Sequence, residues 1–197
     1  MPPKPAQEEP VRASIMEGLV GCVAARGYAS VTINDIVDAA HVSKSTFYAQ
    51  FTGKEDCFLA AYEASADAVM AVIVEAADQD LAYDELVLAA TTAYLERIAG
   101  DEIHARTFIL EVLAAGPAAL GMRHAVNRRF ADVLRRLVDE SEEERVGALS
   151  PAAALMVVGG ANELVLSAIV EDRLDELPAL APTVSAALLA AVTTAES

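Results

Sequence analysis

The stretch Ala39–Phe51, AAHVSKSTFYAQF, decides how the N-terminal end of this chain folds. Phe47 and Phe51 stand four residues apart, so on a helix they share one face and point into one core. At about 100° per residue, Ser45 and Ala49 then point the other way, flanked by Thr46 and Tyr48, with Lys44 in the first turn. Ser43 is a residue type that caps helix N-termini. An outward face of small and polar side chains can enter a major groove and reach base edges, whereas Leu or Ile there would mean burial. Just upstream, Thr32 and Asp35 have the spacing of a capping box, with aspartate in place of the usual Glu or Gln. Ile33, Ile36, Val37 and Ala40 supply the buried face of that preceding helix. A helix, a turn at His41 and Val42 and a second helix make helix-turn-helix spacing.

Outward from this motif, the chain reads as helical throughout. Val11 to Arg26 carries Ile15, Leu19, Cys22 and Val23 along one face and ends at Gly27, a helix stop. Pro2, Pro3, Pro5 and Pro10 mark residues 1–10 as a flexible arm. Further helices are expected over 54–77, 81–99, 101–115, 118–140, 151–170 and 178–194, with the charged run 141–151 as a loop. Alanine, the best helix former, accounts for 41 of the 197 residues. The expectation is an all-α chain of about nine helices: a three-helix DNA-binding domain over 11–55, then a helical ligand-binding and dimerisation domain over 56–197.

Bulk properties exclude several classes. At 54% apolar residues the chain is not intrinsically disordered. The N-terminus lacks the apolar core of a signal peptide, and charged or proline residues interrupt each apolar run short of the roughly 18 residues that span a bilayer. A cytoplasmic protein with no membrane partner is expected. Cys22 and Cys57 are read as apolar packing, since two cysteines make no disulfide framework. The formal net charge is −16, yet residues 1–55 hold five Lys+Arg against six Asp+Glu, while the remainder holds nine against 24. Between Ala39 and Lys54 there are Lys44 and Lys54 and no acid. The acidity belongs to the larger C-terminal part, and the candidate DNA stretch is locally basic.

The segment VTINDIVDAAHVSKSTFYAQFTGKEDCF resembles the N-terminal signature of the TetR family of bacterial transcriptional regulators. Thr32, Ile36, Ala40, Val42, Ser43, Thr46, Tyr48, Phe51, Lys54 and Glu55 fit that signature in one register, and the resemblance by motif covers about residues 12–60. It implies that Thr32, Tyr48 and Lys54 contact phosphates and that Lys44, Ser45 and Thr46 read bases. Ser43 is mainly a cap, with a phosphate contact open to it. A threonine at a helix N-terminus suits an anion without the family, because hydroxyl and backbone donors converge there. Each residue also has a plainer reading: Thr32 a cap, Tyr48 packing, Lys54 a solvated lysine. Two positions depart from the signature. His41 stands where the family has glycine, at a place that normally needs positive φ, and Gln50 stands in place of the usual histidine.

Helix-turn-helix proteins bind as dimers with reading helices one DNA turn, about 34 Å, apart. The resemblance implies a dimer interface made by the last two helices. Leu155, Val158, Gly159, Asn162, Leu166 and Ile169, then Leu188, Leu189 and Val192, are the candidates, and the same residues fit an intrachain core face. It also implies a small-molecule pocket in the middle helices, with Tyr94, His104, Thr107, Phe108, Glu111, His124 and Asn127 as candidate lining. Taken singly, each of these fits a solvated stripe better than a pocket. The reading is a ligand-released repressor binding a palindromic operator as a homodimer. The alternatives are a TetR-type activator and a helical small-molecule-binding or interaction protein with a degenerate DNA head. No enzyme is expected: the chain shows no nucleophile elbow, Gly-rich phosphate loop or metal-ligand spacing, and neither cofactor nor metal is called for.

Overall fold

The computed structural model describes residues 5–78, 81–140 and 147–192. Among these the chain forms nine α-helices and no strand: α1 Pro5–Arg26, α2 Ile33–Ala39, α3 Lys44–Gln50, α4 Lys54–Ala77, α5 Tyr83–Ala99, α6 Glu102–Ile109, α7 Pro117–Asp139, α8 Pro151–Val170 and α9 Ala181–Ala191. Short 3-10 turns lie at Tyr28–Ser30, Glu111–Leu113 and Leu174–Leu180. Residues 1–4 of the expected arm, residues 141–146 of the expected loop and the expected end of the last helix beyond Val192 lie outside the described residues.

The helix starts follow local chemistry. Thr32 and Asp35 form a reciprocal capping box on α2: the Asp35 amide donates to Thr32 Oγ1 at 3.3 Å, and the Thr32 amide to Asp35 Oδ2 at 2.8 Å. Ser43, Asp101 and Ser150 cap α3, α6 and α8 through side-chain oxygens that accept backbone N–H groups. Pro117 and Pro151 occupy first helical turns, where a missing N–H costs nothing.

Three boundaries differ from the sequence expectation. The first helix runs back to Pro5 and passes through Pro10, so residues 5–10 of the expected arm are helical. The helix expected over 101–115 stops at Ile109 and continues as a 3-10 turn at Glu111–Leu113. In that turn the Glu111 side chain is bonded to another part of the molecule. The last helix begins at Ala181, after a 3-10 segment that contains Pro178, which has no N–H to extend an α-helix.

One apolar core joins the N-terminal helices to the rest. It runs from Ile15, Leu19 and Val23 of α1 through Ile36, Phe47, Phe51 and Phe58 to Phe108, Val112 and Val126. Two further clusters lie farther out. One joins Tyr83 and Val87 to Val138, Ala154 and Leu188, and the other joins Leu95 to Val165, Ile169 and Leu177. By length and composition Lys54–Ala77, Pro151–Val170 and Leu174–Ala191 are apolar enough to cross a bilayer. The sequence reading allowed none, because it ended each run at its first charge or proline, whereas average hydropathy tolerates a few polar residues. In the fold α4 packs on α5 and α7, Pro151–Val170 packs on α7 and on Leu174–Ala191, and Leu174–Ala191 packs also on α5.

Candidate nucleic-acid interface and effector cavity

α3 is held from below and open above. Phe47 and Phe51 are buried, with ring centroids 5.7 Å apart. The Arg12 guanidinium stacks 4.1 Å over the Phe51 ring and donates to the Gln50 carbonyl at 2.8 Å, so α1 grips the end of α3. The sequence reading missed Arg12, because nothing in its local pattern points to a residue 38 positions away. On the opposite side Lys44, Ser45, Tyr48 and Ala49 are exposed, Tyr48 by 56%. The hydroxyls of Ser45 and Thr46 lie 2.7 and 2.8 Å from that of Ser43, a cluster of rotatable donors at the start of α3.

The turn between α2 and α3 is closed by Val42 N–H donating to the Val37 carbonyl at 3.0 Å. His41 adopts φ 54°, in the left-handed region. The chain therefore keeps the conformation that glycine favours, on a residue that tolerates it at about 1–2 kcal/mol. Close packing elsewhere in the motif does need glycine: a Cβ on Gly18 would lie 3.1 Å from the Ala40 nitrogen and the Ile36 oxygen, so α1 and α2 touch backbone to backbone.

Thr32 is exposed, but its hydroxyl donates to Asp35 Oδ2 at 2.6 Å. Hydrogen bonds from the Thr32 side chain and amide, then from Arg26 at 3.0 Å, hold the Asp35 carboxyl down at about 2. Lys54 is engaged by protein: its ammonium donates to the Tyr28 and Val31 carbonyls at 2.7 and 2.8 Å and lies 4.1 Å from the Tyr28 ring centroid. Burial lowers its pKa. The expected solvated or phosphate-bound lysine is thus committed to the Tyr28–Val31 segment, with one of its three N–H donors left over.

Two adjoining cavities lie among the later helices. The first is apolar, walled by Ile73, Val87, Val133, Leu134, Val158 and Leu188. The second has a polar side made by Ser65, Arg97, Asp101, His104 and Asn127. Tyr94, Phe130 and Asn162 line both and form the partition between them. Across this partition Asn162 Nδ2 donates to Asn127 Oδ1 at 3.1 Å. Burial of the Tyr94 hydroxyl pushes its pKa up. At the polar end His104 Nδ1 is 2.8 Å from Asp101 Oδ1, and Arg97 donates to Asp101 Oδ2 at 3.2 Å. Burial acts to raise the Asp101 pKa, and the bonds from His104 and Arg97 overcome it and hold the carboxyl ionised.

Of the expected pocket residues, Tyr94, His104, Phe108 and Asn127 line these cavities. Three do not. Thr107 is fully buried and donates to the Val20 carbonyl of α1 at 3.4 Å. Glu111 accepts the Tyr28 amide at 2.7 Å. His124 is exposed on α7 and lines neither cavity. Tyr62, Arg97, Asp101 and Phe130 were missed, because the cavity wall is assembled from α4 to α8 and no single window of sequence shows it, although Arg97, Asp101 and His104 are close in sequence.

The expected dimer residues also divide. Gly159 is exposed, but Val158, Ile169 and Leu188 are buried in the chain's own core, Asn162 lines the cavities, and Leu155, Leu166, Leu189 and Val192 are half-buried. The face of α8 that meets solvent is Ala152, Met156, Gly159, Gly160, Glu163, Ser167 and Val170, with Met156 and Val170 exposed by 69% and 71%. On α8, Leu155, Asn162, Leu166 and Ile169 of the expected residues each lie one position before a member of this solvent-facing stripe.

With this geometry in view, residues 15–61 match the family model for bacterial regulatory proteins, tetR family. No curated protein matches the chain. Among solved structures, the fatty acid degradation regulator FadR from Bacillus halodurans is 22% identical with a TM-score of 0.80; the alignment covers 92% of this chain and 99% of that one. FadR from Bacillus subtilis, solved with stearoyl-CoA, is 19% identical with a TM-score of 0.77 over the same shares. A tetR-family regulatory protein from Rhodococcus RHA1 is 21% identical with a TM-score of 0.66, covering 94% of this chain and 98% of that one. At these identities the likeness is one of fold.

Proposed function

Because the chain belongs, through its N-terminal domain, to the tetR family of bacterial regulatory proteins, we propose that it is a cytoplasmic, ligand-released repressor that binds a palindromic operator as a homodimer. The observation that carries the DNA reading is α3: buried Phe47 and Phe51 hold it while Lys44, Ser45 and Tyr48 face solvent. Lys44, Ser45 and Thr46 are the base-reading residues in this proposal, and Tyr48, Ser43 and Thr32 contact phosphates. Lys54 acts mainly by fixing the Tyr28–Val31 segment against α4.

The effector we propose is an amphiphile with a long apolar chain. The apolar cavity takes the chain, and the side built from Arg97, His104 and Asn127 takes the polar group. A stearoyl-CoA complex of a protein with the same fold supports this chemistry. The second copy packs on the exposed stripe of α8, where Gly159 and Gly160 let backbones approach closely and Met156 and Val170 are covered. Release from DNA, and so relief of repression, follows if the DNA-competent dimer binds the amphiphile more weakly than the released form does.

Gel shifts with the DNA upstream of the protein's own gene test the regulator reading. A shift abolished by Ser45→Arg with the fold intact supports it, and no shift at low salt from a dimeric sample would refute it. Loss of the shift on adding long-chain acyl-CoA, but not a short-chain one, tests the effector class.

A further inference from the structure

Glu111 does not face the cavities, although it lies one turn beyond the helix that walls them. Its carboxylate reaches the segment between α1 and α2 and accepts the Tyr28 amide at 2.7 Å, 83 positions away in sequence. The carbonyl of the same residue is held from the opposite side by Lys54 at 2.7 Å, with the ammonium over the ring. Tyr28 is therefore clamped through both its peptide groups, by a carboxylate after α6 and an ammonium on α4. Gly27, beside this contact, takes φ 75°, the left-handed conformation that glycine favours, and a Cβ there would just touch Glu111 Oε2 at 3.4 Å.

The other side of α6 meets the polar cavity. His104 and Phe108 line it. The Phe108 ring meets Tyr62 edge-on at 5.3 Å and Phe58 at a tilt at 5.7 Å, and Phe58 meets the Tyr28 ring edge-on at 5.0 Å. A cavity wall and the Tyr28 clamp are thus parts of one short element. That element changes from α-helix to 3-10 geometry at Leu110, directly before Glu111. Such a junction can rewind by a fraction of a turn, which would swing the carboxylate without unfolding the helix.

We propose that Glu111 is the positioning residue that couples the cavity to the DNA-reading head. With the cavity empty, the Glu111–Tyr28 bond holds the segment leading into α2, and so sets the angle of α2 and α3. An amphiphile against His104 and Phe108 shifts α6, withdraws the carboxylate and frees that segment. This rests on the effector reading given above. It differs from a purely structural role because it predicts that ligand affinity and ligand response separate.

The experiment compares wild type with Glu111→Gln, which keeps an acceptor oxygen, and Glu111→Ala, which keeps none. The first readout is hydrogen exchange in the ligand-free protein. Glu111→Ala should speed exchange at Tyr28 and through α2, with the amides of α5 and α7 unchanged and Glu111→Gln close to wild type. Unchanged exchange in α2 would overturn the coupling whatever the effector turns out to be. The second uses a C18 acyl-CoA as probe and an operator selected by the wild-type protein from random duplex DNA. In Glu111→Ala the probe should bind within about two-fold of wild type. The drop in operator affinity that the probe causes should shrink at least about five-fold, the lower end of ordinary allosteric coupling. An undiminished drop would overturn the proposal. If the probe leaves wild type unbound, the effector class has failed and the exchange readout alone decides on Glu111.

Discussion

The outward faces of α3 and α8 are built by opposite rules. In α3 two large aromatics go inward and Lys44, Ser45, Tyr48 and Ala49 go outward. In α8 the inward residues are Ala154, Val158, Val165 and Ile169, and the outward stripe is itself largely apolar or small. The first helix is proposed to meet a polyanion, for which hydroxyls and a cation are suited. The second is proposed to meet another copy of itself and needs little more than shape. A helix of seven residues with a clear apolar edge announces its orientation. A helix of twenty with scarcely a charge does not.

The difference predicts different failures. Phe47→Ala removes a fully buried ring and should destabilise the protein by about 3–5 kcal/mol. Thermal melting should show the loss, and operator binding should go with it. If the melt is unchanged, the anchor has been misassigned. On α8 the pair Met156→Asp and Ile169→Asp separates outside from inside. Met156→Asp should leave the melt of the monomer within about 0.5 kcal/mol, as exposed substitutions do, while weakening the dimer at least about ten-fold by sedimentation. Ile169→Asp, which buries a charge, should unfold the chain. A Met156→Asp dimer as tight as wild type would move the interface off this stripe.

Arg12→Ala sharpens the description of the head. It deletes the hydrogen bond to the Gln50 carbonyl and the stacking over Phe51. A loss of about 1–2 kcal/mol is expected from a charge-assisted bond and a partly exposed cation–π contact. Operator affinity should fall along with stability, because the end of α3 is no longer fixed. A fall in affinity without any fall in stability would instead make Arg12 a phosphate contact.

Much of the head was legible because its signals are local. The capping serine at Ser43, the Thr32–Asp35 box and the Phe47–Phe51 spacing each lie within one or two helical turns, and the structure has all three. The larger part was legible in outline only. Helix count and most of the starts could be read from caps and prolines. The phase of α8 could not, since Leu155, Met156, Val157 and Val158 are all apolar and give no contrast to read. The 101–115 run reads as one helix because its pattern is helical throughout. It instead ends at Ile109 and passes into a 3-10 turn where Glu111 reaches Tyr28, a contact made in three dimensions and invisible to any window of sequence. Thr107, in the last turn of α6, faces α1 through a contact that is equally non-local.

The smallest expected effect belongs to the residue that first looked like a defect. His41 sits at φ 54°, where an L side chain is strained and glycine is not. Its side chain is exposed, so replacing it loses no packing. His41→Gly relieves about 1–2 kcal/mol of backbone strain and gives back about 0.4–1 kcal/mol through a freer unfolded chain. Stability in the melt should therefore be unchanged or rise by up to about 1.6 kcal/mol, with operator binding kept. His41→Val tests the same account from the other side, since a β-branched residue tolerates this region worse than histidine, and it should lower the melt while leaving the α3 face intact. If His41→Gly instead abolished operator binding with the fold unharmed, the imidazole would be a DNA contact, and the turn would belong to the reading surface together with α3.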